Sequence, residues 1–390
     1  QLLSSQWFIV NHISNYQFYS VYLTSNTVGC VGGNQNGVIF KTTDSGSNFT
    51  SVPTGTGIWF LDIYFLNSQT GYACGQNGYI VKTMDGGLSW NVIYQAANFL
   101  HNIRFVDNNT GYAVGFSNAY KTTNAGSTWN LLTTNYTNYL LGTSFINSNT
   151  GFICGDGGLI SRTTNGGSSW QTIFNGGSDQ FEELVMTNAS TGYVAGRYGK
   201  ILKTTDGGTN WLLQNSGTSD WLLDLYFINA NSGWACGMNG KIVYTANGGQ
   251  SWATQYVPTI STIRQLHFLT SDTGYAVTDN GMILKTYNAG NPIGIIQTNT
   301  EVPAEYSMSQ NYPNPFNPST RINFSLPKST FVTLKIYDNI GKEIAILINQ
   351  NMGSGNYEYE FDAGVLASGI YYYRINADDF IETKKMILIK

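Results

Sequence analysis

Acidic side chains recur at one position of a repeating pattern, where two of them could act as an acid and a base. Asp62, Glu183 and Asp224 each precede a Phe or Met residue by three positions. Asn102 and Gln265 hold the equivalent position in two other repeats. Hydrolysis of a glycosidic bond needs two carboxyl groups about 5 to 9.5 Å apart in a cleft. A glycan-active hydrolase that uses Asp62, Glu183 or Asp224 is therefore one hypothesis.

Aromatic side chains are frequent three positions before these polar residues, where the same predicted strands begin. Aromatic faces beside carboxylates and amides suit the binding of a carbohydrate or a peptide. Alternatively, Trp59 and Trp221 fill the spaces between neighbouring structural units. The candidate binding residues, placed at the mouth of a predicted channel, are Trp59, Asp62, Phe99, Asn102, Tyr139, Glu183, Trp221, Asp224 and Gln265.

The remaining reactive side chains do not indicate a catalytic centre. The three histidines are scattered over unrelated repeat positions, which disfavours a triad of nucleophile, histidine and acid. Three cysteines share one repeat position in units that are not neighbours, too far apart for the ~5.5 Å Cα separation of a disulfide. We expect them to be buried as small apolar residues: Cys74, Cys154 and Cys236. We predict no catalytic residue, no metal and no cofactor.

These residues are positioned by an internal repeat. The stretch "TGYACGQNGYIVKTMDGGLSW" at 70–90 has six partial matches, with a period of 41 residues and a single interval of 39. A complete repeat holds four short alternating segments separated by Gly-rich turns, which is typical of one blade of a β-propeller. One column of the repeat is always Asp or Asn: Asp44, Asp85, Asn124, Asn165, Asp206, Asn247 and Asn288.

The seventh repeat lacks its last strand, and the N-terminus can supply it. "SSQWFIV" at 4–10 is similar to the fourth strands of other repeats, such as "GSSWQTI". Pairing this segment with the last blade closes the ring and removes two open sheet edges. We therefore predict an all-β chain whose residues 1–290 form a seven-bladed β-propeller, with 4–10 as the closing strand.

The Asp/Asn column belongs to a "T-x-D-x-G-x-x-W" pattern that resembles the Asp-box of sialidase-type (BNR) repeats. The whole repeat resembles the propellers of the photosystem II stability and assembly factor family. The resemblance implies that the Asp or Asn oxygen accepts hydrogen bonds from its own turn, while Gly adopts the positive φ. Asn occupies the column in four repeats and could not act as a general base. The column is therefore predicted to be structural.

A second domain is predicted at 306–390, after a linker at 291–305. Its alternating segments indicate a small antiparallel, Ig-like β-sandwich. The motifs "NYPNPFNPST", "IYDNIGKE", "FDAGVLASGIYYYRI" and "TKKMILIK" resemble the type A C-terminal sorting domain of the type IX secretion system. The resemblance implies recognition by that machinery and export to the surface or medium of a Gram-negative bacterium. The sorting residues would be Asn311, Pro313, Pro315, Gly369, Lys384 and Lys385.

Composition agrees with an extracellular binding protein. Charged residues make up 11% of the sequence, against about 25% in typical soluble proteins. The net charge of −4 gives no general attraction to nucleic acid. A start at Gln1 suits a chain whose signal peptide has been removed. The leading hypothesis is a non-catalytic, secreted or cell-surface scaffold that binds an extracellular protein or glycan. A structural subunit that self-associates is an alternative, suggested by the low charge and 26 Tyr.

Two substitutions at Asp85 test the structural interpretation of the Asp-box. Asp85→Asn should leave both stability and binding activity unchanged, because Asn serves at the same position in other repeats. Asp85→Ala should destabilise the propeller by roughly 1 kcal/mol, because the turn loses its hydrogen-bond acceptor. Thermal melting and a binding assay of both variants provide the measurement. An Asn variant that melts normally but is inactive would indicate chemistry at this residue.

Overall fold

The computed structural model describes residues 7–34, 36–287, 295–299, 302–363 and 366–389. Ile9–Tyr287 form one compact unit, and the described residues from Ile295 onward belong to a second. In the described part of the chain, the strands assemble into nine four-stranded sheets. Seven of these sheets are propeller blades and two form a sandwich, which confirms the predicted all-β fold. No helix among the described residues is long and apolar enough to cross a membrane.

The blades follow one another along the chain, each running from an inner to an outer strand. Blades 1 to 3 comprise β2 Gln17–Leu23, β3 Gly29–Asn34, β4 Val38–Thr42, β5 Thr50–Pro53; β6 Phe60–Phe65, β7 Gly71–Gly75, β8 Tyr79–Thr83, β9 Asn91–Gln95; β10 Leu100–Phe105, β11 Gly111–Gly115, β12 Ala119–Thr122 and β13 Asn130–Leu132. Blades 4 to 6 comprise β14 Leu140–Phe145, β15 Gly151–Gly155, β16 Leu159–Thr163, β17 Gln171–Asn175; β18 Phe181–Met186, β19 Gly192–Gly196, β20 Ile201–Thr204, β21 Leu212–Gln214; β22 Leu222–Phe227, β23 Gly233–Gly237, β24 Ile242–Thr245 and β25 Ala253–Gln255. Single 3-10 turns occur at Gln76–Gly78, Arg197–Gly199 and Met238–Gly240.

Blade 7 combines both ends of the propeller sequence. Its strands, from inner to outer, are β26 Ile263–Phe268, β27 Gly274–Thr278, β28 Met282–Thr286 and β1 Phe8–His12. After β1, the Ile13 N–H donates to the Gly281 carbonyl at 2.9 Å. Gly281 has a φ of +83°, and a Cβ there would lie 2.1 Å from the Ile13 carbonyl oxygen. Residues 4–6 of the predicted closing strand lie outside the described residues.

Within each Asp-box that the structure describes, the Asp or Asn side chain accepts a backbone N–H of its own turn. Asp85 Oδ1 accepts from the Leu88 and Ser89 N–H groups at 3.0 Å each, and from the Thr83 hydroxyl at 2.7 Å. Burial opposes the charge on Asp85, but the hydrogen bonds from Ser89 and Thr83 lower its pKa to about 2. In blade 6 the amide oxygen of Asn247 accepts from the Ser251 N–H at 3.0 Å. Asn288 of the predicted column lies outside the described residues.

Neighbouring blades are joined at these same turns. The hydroxyl of Tyr72 and the ammonium of Lys82 in blade 2 both donate at 2.9 Å to the carbonyl of Ala125, in the Asp-box turn of blade 3. From blade 7, the Tyr275 hydroxyl donates to the carbonyl of Ser45 in blade 1 at 2.9 Å. Each such bond fixes the turn of one blade on the strands of the blade before it.

The second unit is a sandwich of two four-stranded sheets. The first sheet has the order β29 Ile295–Asn299, β34 Gly355–Asp362, β31 Ser319–Leu326 and β30 Ser307–Met308. The second has the order β33 Glu343–Met352, β32 Thr330–Tyr337, β35 Gly369–Ala377 and β36 Phe380–Leu388. Their facing apolar side chains form one core, which includes Ile322, Leu334, Tyr373 and Met386.

The structure differs from the linker predicted over 291–305. Residues Ile295–Asn299 form β29, which pairs antiparallel with β34, so that Ile295 lies opposite Tyr359. This pairing joins positions about 60 residues apart in the sequence, and a scan for local periodicity does not detect it. Residues 291–294, 300 and 301 lie outside the described part of the chain.

Deletion of residues 1–11 should open blade 7 and destabilise the propeller. β28 would lose its outer neighbour, and several backbone hydrogen bonds of about 1 kcal/mol each would be lost. We expect the melting midpoint of the propeller to fall by about 5 °C or more. A synthetic peptide of residues 1–11 should partly restore it, because it binds the folded state. An unchanged midpoint would contradict closure by β1.

Candidate functional site

The predicted polar column lies on the inner strands, and its members connect neighbouring blades. Asp62 Oδ2 accepts from the Ile103 N–H of the next blade at 2.9 Å. In blade 6, Asp224 Oδ2 accepts from the Leu266 N–H of blade 7 at 2.8 Å. Four of the five predicted side chains are buried and Gln265 is partly buried, so the column is a polar ring inside the channel: Asp62, Asn102, Glu183, Asp224 and Gln265.

Arg104 is the cation of this polar ring. Its guanidinium forms an ion pair with Asp62, and its Nη2 lies 3.3 Å from Glu183 Oε2. The amide of Asn102 donates to the same Glu183 oxygen at 2.9 Å. Burial raises the pKa of Glu183 and of Asp224, while the Arg104 cation lowers both in part. Asp62 and Glu183 bind Arg104, and Asp224 accepts from a backbone N–H of the next blade, an arrangement that favours a structural role over acid–base catalysis.

A β-bulge, which the alternating strand pattern did not predict, precedes the polar ring in every blade. In blade 2 the pairing with β7 skips one residue between Phe60 and Asp62. A bulge re-aims the side chain of the extra residue. The sequence does indicate this bulge, because the apolar residues Phe60, Ile63 and Phe65 are spaced by three and then by two positions. A regular strand would keep a spacing of two throughout. The bulge ring consists of Tyr19, Leu61, His101, Leu141, Glu182, Leu223 and Arg264.

Aromatic side chains lie next to the bulge ring on one side of the channel mouth, where blades 2 to 4 begin. Trp59, Phe99 and Tyr139 are 40%, 39% and 40% exposed, so much of each ring faces solvent. The ring of Trp59 stacks on Tyr19 with centroids 6.1 Å apart. Tyr139 lies 5.7 Å from the ring of His101, in a perpendicular arrangement. We call Trp59, Phe99 and Tyr139 the aromatic rim.

The opposite side of the mouth carries charged groups. The Arg197 guanidinium lies 4.3 Å from the centre of the Trp221 ring, and that of Arg264 lies 5.2 Å from Tyr19. Burial raises the pKa of Glu182 to about 7, although the Trp221 side chain and the charges of Arg197 and Arg264 lower it in part. Burial also lowers the pKa of His101 to about 4, so that its imidazole is neutral at pH 7. The mouth therefore offers aromatic faces, cations and a protonatable acid to a ligand of mixed polarity.

A cavity of about 230 Å³ lies further along the inner strands. It is lined by Tyr22, Tyr64, Tyr226, His267 and Arg104, among others. The Tyr22 and Tyr226 hydroxyls already donate to backbone carbonyls of the next blade, at 3.0 and 2.8 Å. No cluster of three His, Cys, Asp or Glu side chains that could hold a metal occurs within the described ranges.

The predicted sorting residues tie the start of the sandwich to its last strand. Asn311 is buried, and its Nδ2 donates to the Thr320 hydroxyl at 2.9 Å. Asn314, between the cis-linked Pro313 and Pro315, accepts from the Ile387 N–H at 2.9 Å. Gly369 pairs with Leu388, Lys384 forms an ion pair with Glu382 at 2.8 Å, and Lys385 is exposed.

The fold and its turns define a class: an Asp-box β-propeller with a C-terminal secretion domain. Residues 91–176, 121–215 and 212–288 match the family described as photosynthesis system II assembly factor YCF48, and together span just over half of the chain. The chain belongs to this family. Residues 310–390 match the secretion system C-terminal sorting domain. Both predicted resemblances are confirmed.

Solved structures show the same propeller fold at low identity. YCF48 from Cyanidioschyzon merolae has 16% identity and a TM-score of 0.61, covering 72% of this chain and 98% of that one. A structure described as YCF48 bound to D1 peptide has 20% identity and a TM-score of 0.61, covering 73% and 97%. The WD40 propeller domain of Doa1 has 9% identity and a TM-score of 0.61, covering 72% and 96%. No curated protein matches the chain.

The sorting domain determines where the protein acts. Domains of this family direct export through the type IX secretion system, as the sequence resemblance implies. The chain is therefore a bacterial protein that is secreted or held on the outer surface, with the secretion machinery as one partner.

Glu182 should make the stability of the propeller depend on pH. Its pKa rises from 4.5 to about 7 on folding, so the folded state retains a proton that the unfolded state releases. This contribution to the free energy of unfolding is present below about pH 4.5 and is lost as the pH rises through about 7. Glu182→Gln should flatten that decline in melting experiments between pH 4.5 and 8. Leu61→Gln, an amide at another bulge position, should keep the wild-type slope. An unchanged slope in Glu182→Gln would contradict the burial effect.

Proposed function

We propose that the protein is a non-catalytic binding protein outside the cell, whose channel mouth recognises a segment of another protein. The observation that carries this proposal is the aromatic rim, because Trp59, Phe99 and Tyr139 expose large apolar surfaces around one opening. Aromatic residues supply much of the energy of protein recognition. The neighbouring Arg197, Arg264 and Glu182 would supply directional polar contacts.

Two further observations support a peptide as the ligand. The mouth combines cations with an acid beside aromatic faces, a mixture that matches the side chains of a peptide better than neutral sugar hydroxyls. A solved YCF48 propeller with the same fold is described as bound to a D1 peptide. A non-catalytic role is supported by Asp62 and Glu183, which both engage Arg104.

Substitution of the rim should weaken peptide binding without unfolding the propeller. Peptides selected from a random display library against the full chain serve as the probe. Their affinity should fall by about tenfold or more in Trp59→Ala/Tyr139→Ala, since each ring contributes 1 kcal/mol or more at an interface. Both side chains are partly exposed, so we expect the melting midpoint to stay close to that of the wild type.

Met84→Ala/Leu88→Ala provides a matched control. Both side chains are exposed, and they lie in the Asp-box turn of blade 2, at the opposite end of its strands from the mouth. This control should bind the selected peptides as the wild type does. Equal binding of the selected peptides by Trp59→Ala/Tyr139→Ala would overturn the proposal. A library that yields no peptide directed at the mouth, together with a glycan array that shows binding dependent on the aromatic rim, would overturn it as well.

A further inference from the structure

The two outer faces of the sandwich differ in chemistry. The outward residues of β31 and β34 are polar, with Arg321 and Glu358 paired at 3.5 Å. The solvent face of an antiparallel sheet is normally of this kind. The outward face of β32, β35 and β36 is not, because tyrosines, isoleucines and cations alternate with the buried core residues. A contiguous exposed surface of this composition is typical of an interaction site.

Cross-strand pairing arranges these outward residues in two rows. Tyr337 lies opposite Tyr372, which lies opposite Lys385. In the next row Lys335 lies opposite Arg374, which lies opposite Thr383. Exposed Ile370 and Ile381 lie at the two ends of the area. We call the six residues of the two rows the tyrosine–cation face: Lys335, Tyr337, Tyr372, Arg374, Thr383 and Lys385.

The face carries an excess of positive charge, and its Arg374 is held in place. The Arg374 Nε donates to the Thr383 hydroxyl at 2.9 Å, and the guanidinium lies 5.2 Å from the centre of the Tyr337 ring. Lys335 is neutralised by Glu343 at 2.9 Å. Among the residues that the structure describes, Arg374 and Lys385 form no ion pair. A fixed, exposed guanidinium is suited to binding a carboxylate.

The last strand explains why this face belongs to the sorting domain. Along β36, Met386 and Leu388 are buried in the core, while Thr383 and Lys385 point outward. The carbonyl of Lys385 accepts from the Gln310 side chain at 2.8 Å, which anchors the strand to the beginning of the matched region. The terminal motif therefore builds the core with one set of residues and the tyrosine–cation face with the alternate set.

We propose that the tyrosine–cation face is the surface that the type IX secretion machinery binds, through an acidic protein surface that also accommodates tyrosine and isoleucine side chains. This inference rests on export by the sorting domain. Charge complementarity identifies the partner, because Arg374 and Lys385 need carboxylates. Two copies of the face would repel each other, which argues against self-association through it. The preordered Arg374 fits a structured protein partner better than a fluid lipid surface.

The test is export of the full chain from a bacterium that has a type IX secretion system. Arg374→Glu/Lys385→Glu should reduce the fraction found in the medium or on the outer surface by about tenfold or more, the change produced by a loss of about 1.4 kcal/mol of binding. Lys385→Glu alone should reduce it in the same direction, and Lys385→Arg should be exported normally. Unchanged melting of the purified variants shows that export is not lost through unfolding.

Arg321→Glu/Lys328→Glu is the matched control, with the same change of charge at other exposed residues of the sandwich. It should be exported like the wild type, and equal loss in the control would contradict a specific face. Deletion of residues 381–390 tests the sorting assignment itself. If that truncated chain is still exported, the sorting assignment fails. If the truncated chain is not exported but Lys385→Glu and Arg374→Glu/Lys385→Glu are exported normally, the sorting assignment stands. Only the proposal that the machinery binds the tyrosine–cation face is then wrong.

Two binding measurements distinguish other occupants of the face. If the wild-type chain binds anionic phospholipid vesicles and Arg374→Glu/Lys385→Glu does not, the tyrosine–cation face binds a membrane. If the wild-type chain dimerises in sedimentation experiments and the same variant does not, the tyrosine–cation face binds a second copy of this chain. Either result would overturn the proposed protein partner, whereas export loss without either effect supports it.

Discussion

The propeller depends on hydrogen bonds that one blade donates to the Asp-box turn of the next. The hydroxyl of Tyr193 and the ammonium of Lys203 both reach the carbonyl of Gly248 in this way. Within the turn the Asn247 side chain accepts the Ser251 N–H, and the Gly248 carbonyl is left to accept from the preceding blade. The Asp/Asn column therefore lies where blades are joined, and Asn247 accepts the same turn hydrogen bond there as Asp85 does.

Inside the channel, the need to pair buried charges decides which side chains have a structural role. A buried carboxylate must be paired or hydrogen-bonded, so Asp62 and Glu183 are committed to Arg104 and to neighbouring blades. The proposed ligand would contact the bulge ring and the aromatic rim, where every side chain except the buried Leu141 is at least partly exposed. Glu182 and Glu183 are adjacent in sequence, yet the bulge gives them different surroundings. One lies at the mouth and the other in the polar ring.

The C-terminal unit uses one strand for two purposes. Alternation along β36 places Met386 and Leu388 in the core and Thr383 and Lys385 on the surface. A short terminal motif that is both apolar and basic follows from this geometry, because each kind of residue faces a different side of the sheet. Loss of the strand would remove core packing and the exposed Lys385 together, so single charge substitutions separate the two effects better than truncation.

Local and repeated features of this protein can be predicted from its sequence alone. The 41-residue period, the Gly-rich turns and the Asp/Asn column indicate seven blades, and the terminal motifs identify the sorting domain, because each depends on short spacings. The exposure of Trp59 and the burial of Glu183 were decided by tertiary structure, since both depend on contacts between blades. The bulge ring was signalled by the spacing of Phe60, Ile63 and Phe65, but only strand pairing showed where Glu182 points. The pairing of Ile295–Asn299 with β34 likewise required the folded chain, because its partners are distant in sequence.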